Sequence, residues 1–591
     1  MTVAERSEID PEYKWDVESV YPGKVEWEED FEEVRDRLEE LEDYRGELDD
    51  GEKMLDFLDL LEELKRKAEL VHRYATMKRD EDSRDQEAQA MASRASSLRS
   101  RLESATGFMN PEIAEMGEEK LEEMMDVTPG LEDYRHFLEE IVRKKPHTRS
   151  VEVETVIAEM GEVLDSPSRV FRMLSNADLD FPEVDGPERS VEITNANFTS
   201  LLKERDREFR EKVHEAYYST IDGLRNTIGA AFEDNIRKNV RLAETRDYGS
   251  AREASLDRNR IPVGVYDSLV DTVRENLDRL HRHVDLKKRN LEVDSLKPWD
   301  FYMPMTDSEG PEIPFEKAKE HVVEAVAPLG DEYQSKMKKG LNSGWVDVYE
   351  NRGKRSGAYS GGAYDTKPFI LMNYQDDVSS MYTLAHELGH SMHSLYTKKN
   401  QDYFYSDYPI FLAEIASTTN EALLTQHLLE TVEDEEFRRH VLSHYLENFR
   451  NTIYRQTMFA EFEQQVHRRV REGEALTPDR LDENYRELKS DFYEPADLDG
   501  MISKEWMRIP HFYYNFYVYQ YATGMSAAET FARRILEGEG RRDYMEFLKA
   551  GSSDYPLEVL RDAGIEMNSP EPVEKALDVY KGHLDRMEKM V

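Results

Sequence analysis

The residues best suited to chemistry are His386-Glu387-Leu388-Gly389-His390. On a helix, side chains four apart stand one turn apart on one face, so His386 and His390 can present two imidazoles to one ion. Glu387 lies beside them, where a carboxylate can act as base on a water that the ion activates. Met381, Leu384, Ala385, Leu388, Met392 and Leu395 recur around the pair at helical spacing, which predicts a buried helix. Buried imidazoles need partners. Two core histidines bonded to neighbours are the plainer alternative to a metal pair.

A catalytic zinc takes three protein ligands and keeps one position open. The chain has no cysteine, so the third ligand is His, Asp or Glu. Pro409 opens a predicted helix running from Ile410 to Glu421. Within it, Glu414 is flanked by apolar residues and follows His390 by 24 positions, enough for a loop and a helix that packs back antiparallel. An unpaired carboxylate facing inward there would be costly. Glu414 is therefore read as the third ligand. Glu421, seven residues on and so on the same face, is read as orienting an imidazole N–H. The reverse assignment of the two acids stays open. His393, seven after His386, shares the ligand face. A fourth protein ligand would close the site, so His393 is expected to support the others.

A second cluster lies between Arg508 and Gly524, where His511 is followed by five tyrosines. An aromatic core helix explains Phe512, Phe516 and Val518. It explains the phenols less well, since buried hydroxyls want partners. Amide hydrolysis passes through an oxyanion, which needs donors aimed at it. Tyr514 and Tyr521 are seven apart and are expected to share a face, with Tyr517 between them and His511 one turn before.

The remaining elements must position these groups. Residues 27–105 read as long charged helices, with charge runs as solvated faces. Residues 178–194 change character and suggest a small β-element or a linker. A boundary is placed there, dividing the chain into residues 1–190 and 191–591. Residues 198–243, 263–288 and 314–329 read as helical. The stretch 340–375 is glycine-rich and ends in an apolar run, 368–374, that predicts a strand. Directly before the metal helix, such a strand is where a peptide substrate could add itself to a sheet, although an ordinary hairpin fits equally. No Walker A pattern, no G-x-G-x-x-G after a strand and no internal repeat is present.

Composition narrows the partners. The 591 residues carry 125 acidic and 79 basic side chains, a formal net charge of −46. That excess repels nucleic acid and anionic membrane surfaces, so neither is expected as a partner. A very soluble cytosolic protein is the plainer reading of this excess; because it runs along the whole chain, a halophilic cytoplasm with high internal salt is favoured, where the Debye length shrinks to about 3 Å at 1 M. The absence of cysteine excludes disulfides, thiolate zinc sites and a Cys nucleophile. The start, Met1 to Arg6, has no apolar signal region, and no run of ~18 apolar residues occurs; a cytoplasmic location is expected.

The His386–His390 motif, the Phe411–Ser417 segment and the His511 tyrosine segment together resemble oligoendopeptidase F, a branch of the thimet-oligopeptidase-like zinc metallopeptidases. The likeness extends to Lys14-Trp15-Asp16, to Ala254-Ser255-Leu256 with Ile261-Pro262, and to the Gly-Ala-Tyr loop before Pro368. The resemblance implies a mainly α, two-lobed helical body split by a deep substrate channel, with one Zn2+ on its floor and a small β element near the zinc helix. It implies endopeptidase cleavage of short unfolded oligopeptides. It also implies that His511, Tyr514, Tyr517 and Tyr521 bind the substrate carbonyl and oxyanion, Tyr514 and Tyr521 ranking ahead of Tyr517. Two readings stand beside it: an exopeptidase with the same zinc site, and a helical peptide-binding protein with a structural metal. An intact Glu387 argues against the latter, since a structural site needs no base.

Overall fold

The computed structural model describes residues 3–186, 189–306 and 310–591. Met1, Thr2 and Val151's side chain lie outside the described set. The protein is mainly α-helical, and its contacts divide it into two compact units, each assembled from three separate stretches of chain. The first comprises Met1–Thr148, Pro311–Glu430 and Phe531–Gly564; the second comprises Arg149–Gly310, Thr431–Thr530 and Ile565–Val591. The linear cut expected at residue 190 falls inside the second unit. Local composition does not reveal which distant stretches will close on one another.

The first unit begins with three helices, Lys24–Glu42, Gly51–Glu81 and Gln86–Ala105. Trp27, Phe31, Val34, Leu38 and Leu41 repeat every three or four residues and are all buried, which is the apolar stripe a charged helix needs. Asp50 and Asp85 cap the second and third helices, each accepting two backbone N–H bonds. The N-terminal segment ties these helices to a small sheet. Trp15 Nε1 donates to Glu81 at 2.8 Å, and Arg6 bridges Glu81 and Asp347 at 2.8 and 2.7 Å.

Asp347 belongs to strand β3 of that sheet. The five strands are β1 (Glu183–Asp185), β2 (Ser190–Glu192), β3 (Val346–Asp347), β4 (Tyr359–Gly361) and β5 (Phe369–Leu371). The first two form a hairpin in the second unit, where the sequence changes character. The other three form a sheet of order β3-β5-β4 in the first unit, with β3 parallel and β4 antiparallel to β5. Phe369, Ile370 and Leu371 are buried, as the apolar run 368–374 predicts, and β4 is an edge strand.

The second unit is helical around buried charge networks. Glu505 accepts from Lys489 and Arg455, each at 2.7 Å, and Asp300 pairs with Arg207 and Arg210 at 2.8 and 2.7 Å. Among the described residues, no helix is long and apolar enough to cross a membrane.

Candidate active site

The His386 motif lies in the helix Val378–Asn400, which Asp377 starts by accepting the Ser380 N–H at 2.7 Å. Met381, Leu384, Ala385, Leu388 and Met392 are fully buried, as their spacing predicts. The helix Ile410–Thr431 packs beside it. Successive contacts run in opposite directions: Tyr382 with Thr425, Ala385 with Asn420, His386 with Glu421, Gly389 with Ser417. The pair is therefore antiparallel. Gly389 allows the closest approach, since a Cβ there would stand 2.5 Å from the Ser417 Cα.

This packing brings three donor atoms together. His386 Nε2 lies 3.1 Å from His390 Nε2 and 3.5 Å from Glu414 Oε2, and His390 Nε2 lies 3.9 Å from the same oxygen. Edges of that length enclose a point about 2 Å from all three atoms, the ordinary zinc–nitrogen and zinc–oxygen bond length. Two imidazoles and a carboxylate are also a zinc donor set, so the residues present fit the ion.

The neighbours fix the imidazole tautomers this set needs. Glu421 Oε1 stands 2.5 Å from His386 Nδ1, on the far side of the ring from Glu414. The His390 ring donates to the Ala413 carbonyl. Of the two candidate acids, Glu414 thus faces the Nε2 pair and Glu421 faces Nδ1.

Burial and neighbouring charges shift each of these groups. Burial lowers the His386 imidazole, but the hydrogen bond to Glu421 and the charges of Glu421, Glu414 and Glu387 more than reverse this and raise it to about 9. Burial and the charge on His386 push His390 down to about 3. Burial raises Glu414 against the opposing pull of His386. Glu387 is only 7% exposed; burial is the first cause of its rise to about 7. Its carboxylate also accepts the Ser360 N–H from β4, and Ser360 Oγ lies 2.8 Å from Ser391 Oγ on the same helix as Glu387. Nothing in the sequence marks Ser360 beyond its place in the glycine-rich stretch.

His393 does not support the ligands. Its ring is buried and stacks on Tyr408 with centroids 3.7 Å apart, and neither nitrogen is hydrogen-bonded. Burial lowers it to about 3. It is a flat packing element, which helical spacing alone cannot distinguish from a polar one.

The second cluster lies in the second unit, and it is not one helix. A 3-10 turn spans Pro510–Tyr513 and the α-helix begins at Tyr519. Between them Asn515 and Phe516 take positive φ, 47° and 54°, which breaks the expected shared face of Tyr514 and Tyr521. Glu463 holds this turn by accepting the Phe516 N–H at 2.6 Å, and Ser255 Oγ donates to the Asn515 carbonyl at 2.6 Å. The turn nonetheless gathers the rings. The His511 centroid lies 5.9 Å from Tyr514, 6.1 Å from Tyr517 and 5.8 Å from Tyr521. Tyr521 Oη stands 3.3 Å from His511 Nε2. Tyr514 is 52% exposed, and burial, then the Arg455 charge, lowers His511 below the usual histidine value.

The sequence pattern of peptidase family M3 matches residues 200–579, and that of Oligopeptidase F matches residues 112–181. The chain belongs to peptidase family M3. This M3 peptidase is 43% identical over 594 residues to oligopeptidase PepF of Bacillus subtilis, covering 99% of this chain and 88% of that protein. Its fold matches the crystal structure of oligoendopeptidase-F from Enterococcus faecium with a TM-score of 0.75 and 37% identity, covering 96% of this chain and 98% of that one. A Chlamydophila abortus protein taken to be a peptidase matches at a TM-score of 0.93 and 34% identity, over the full length of both chains. The helical fold is thus that of the oligoendopeptidase F branch, and the M3 protein is a metallopeptidase.

Proposed function

We propose that this metallopeptidase is an endopeptidase of short, unfolded oligopeptides, with His386, His390 and Glu414 holding one zinc ion and Glu387 acting as general base. The convergence of His386 Nε2, His390 Nε2 and Glu414 Oε2 carries the proposal. A divalent ion held there would supply the Lewis acidity that makes water a nucleophile at neutral pH and polarises a peptide carbonyl.

The chain's own groups do the rest. Glu421 keeps the proton of His386 on Nδ1, leaving Nε2 its lone pair. Glu387 takes a proton from the attacking water on a carboxylate oxygen and returns it to the leaving amine nitrogen. The Ser360 N–H holds that carboxylate in place. The resemblance to oligoendopeptidase F supports His511, Tyr514, Tyr517 and Tyr521 as the hydrogen-bond donors to the carbonyl oxygen as it gains charge. The names of the relatives, oligopeptidase and oligoendopeptidase, support oligopeptides as the substrate class. Edge strand β4, beside the helix that carries Glu387, supports an extended substrate added as a further strand.

The test is mass spectrometry of a peptide library acetylated at one end and amidated at the other, digested with and without chelator. Internal cleavage that chelator stops and zinc restores is expected. Trimming from the ends of an unblocked copy of the library, with the blocked one left intact, would indicate an exopeptidase, and no cleavage of either would indicate a peptide-binding protein.

A further inference from the structure

The helix that carries Glu414 and Glu421 runs on to a second group of metal-type donors. His427 lies six residues beyond Glu421 on that helix. It meets His321 and Glu324, three apart and so neighbours on one face of the helix Phe315–Ala325. One donor atom from each of these residues lies within 4.8 Å of the other two. His427 Nε2 stands 3.5 Å from Glu324 Oε2, and the two imidazole rings meet edge to face with centroids 5.9 Å apart. All three belong to the first unit.

A plain His427–Glu324 ion pair explains this arrangement poorly. Burial lowers both imidazoles below the ordinary histidine value; at His321 the Lys317 charge adds to it, and the nearby acids Glu324, Glu320 and Glu430 only partly offset it. At 3.5 Å the His427 Nε2 to Glu324 Oε2 contact is long for a charge-assisted hydrogen bond, and it leaves His321 unexplained. The three side chains do offer two nitrogen lone pairs and a charged oxygen. Two imidazoles and one carboxylate favour borderline transition ions over magnesium or calcium. The exposed Glu324 side chain gives such an ion a path from solvent.

We propose that His321, Glu324 and His427 form a second divalent transition-metal site, which clamps the Phe315–Ala325 helix to the helix carrying Glu414 and Glu421. Three protein donors leave further positions to water, so the ion exchanges with solution. No bond within the protein is made or broken. The site adds a crosslink between these two helices.

Zinc binding to the full chain, counted by equilibrium dialysis with metal analysis, tests this. Wild type is expected to take two equivalents. His427→Gln and His321→Gln should each take one and keep the helical content and peptide turnover of wild type at one equivalent. His390→Gln should also lose one equivalent and keep the other, which separates the two sites. In a His390→Gln background, zinc should still raise the melting temperature, and adding His427→Gln should abolish that rise. A wild-type chain that saturates at one equivalent would overturn the proposal. So would His427→Gln and His321→Gln variants that both still take two.

Discussion

Gly389 lies against the backbone of Ser417, so closely that a Cβ on Gly389 would stand 2.5 Å from the Ser417 Cα and 2.6 Å from the Ala416 carbonyl oxygen. Those atoms belong to a helix main chain and cannot swing aside. Gly389→Ala must therefore push the Glu414 helix away from His390. Overpacking of this kind costs about 1–3 kcal/mol. The expected result is a lower melting temperature together with weaker zinc binding by equilibrium dialysis. Gly264 has nothing within 4 Å of its would-be Cβ, so Gly264→Ala serves as control and should leave zinc binding unchanged.

The two acids on the second helix should differ in kind. Glu421 faces His386 Nδ1 at 2.5 Å, while Glu414 faces the Nε2 pair. Losing a partner that only orients a ligand typically costs 10–100-fold in metal affinity. Glu421→Gln should fall in roughly that range. Glu414→Gln should lose more, since it removes a donor. Competition against a zinc-binding dye measures both. Equal losses, or a larger one at Glu421, would exchange the roles.

Much of this was legible in the sequence because it rests on local rules. The His386–His390 spacing, the apolar stripe around it and the inward acids Glu414 and Glu421 follow from helical period alone. The tyrosine segment misled that rule. Asn515 and Phe516 adopt positive φ because Glu463 and Ser255, distant in sequence, hold their backbone. The same limit hid Ser360, whose N–H reaches Glu387 only after β4 pairs with β5. The chain's division into two units was hidden for a like reason, each being closed by stretches hundreds of residues apart.

Stability at low pH should depend on Glu505. Burial raises this carboxyl, but the Lys489, Arg455 and Arg508 charges more than reverse it and hold it well below the usual carboxylate range. A depressed folded-state value gives stability that is fully present above the unfolded value of about 4.3 and lost as pH falls below it. Melting temperatures from pH 7 to pH 3.5 should fall more steeply for wild type than for Glu505→Gln. At pH 7 that variant should be less stable by about 3–5 kcal/mol, the cost of leaving buried cations unpaired. Parallel pH profiles would remove Glu505 from the account.

Salt should stabilise the protein. Acidic side chains outnumber basic ones 125 to 79, so screening removes more repulsion than attraction. The melting temperature should rise steadily as KCl increases from dilute buffer toward 1 M, where the Debye length is about 3 Å. A flat response would show that the acidic surface imposes no net strain on the fold.

In the proposed mechanism Glu387 moves protons at a metal centre it does not build. Turnover and zinc content of purified Glu387→Gln test it together. Zinc bound at the His386–His390–Glu414 site as in wild type, with kcat on an oligopeptide reduced by roughly 10²–10⁴-fold, is the predicted result. A variant that holds its zinc and cleaves at a near wild-type rate would contradict the account.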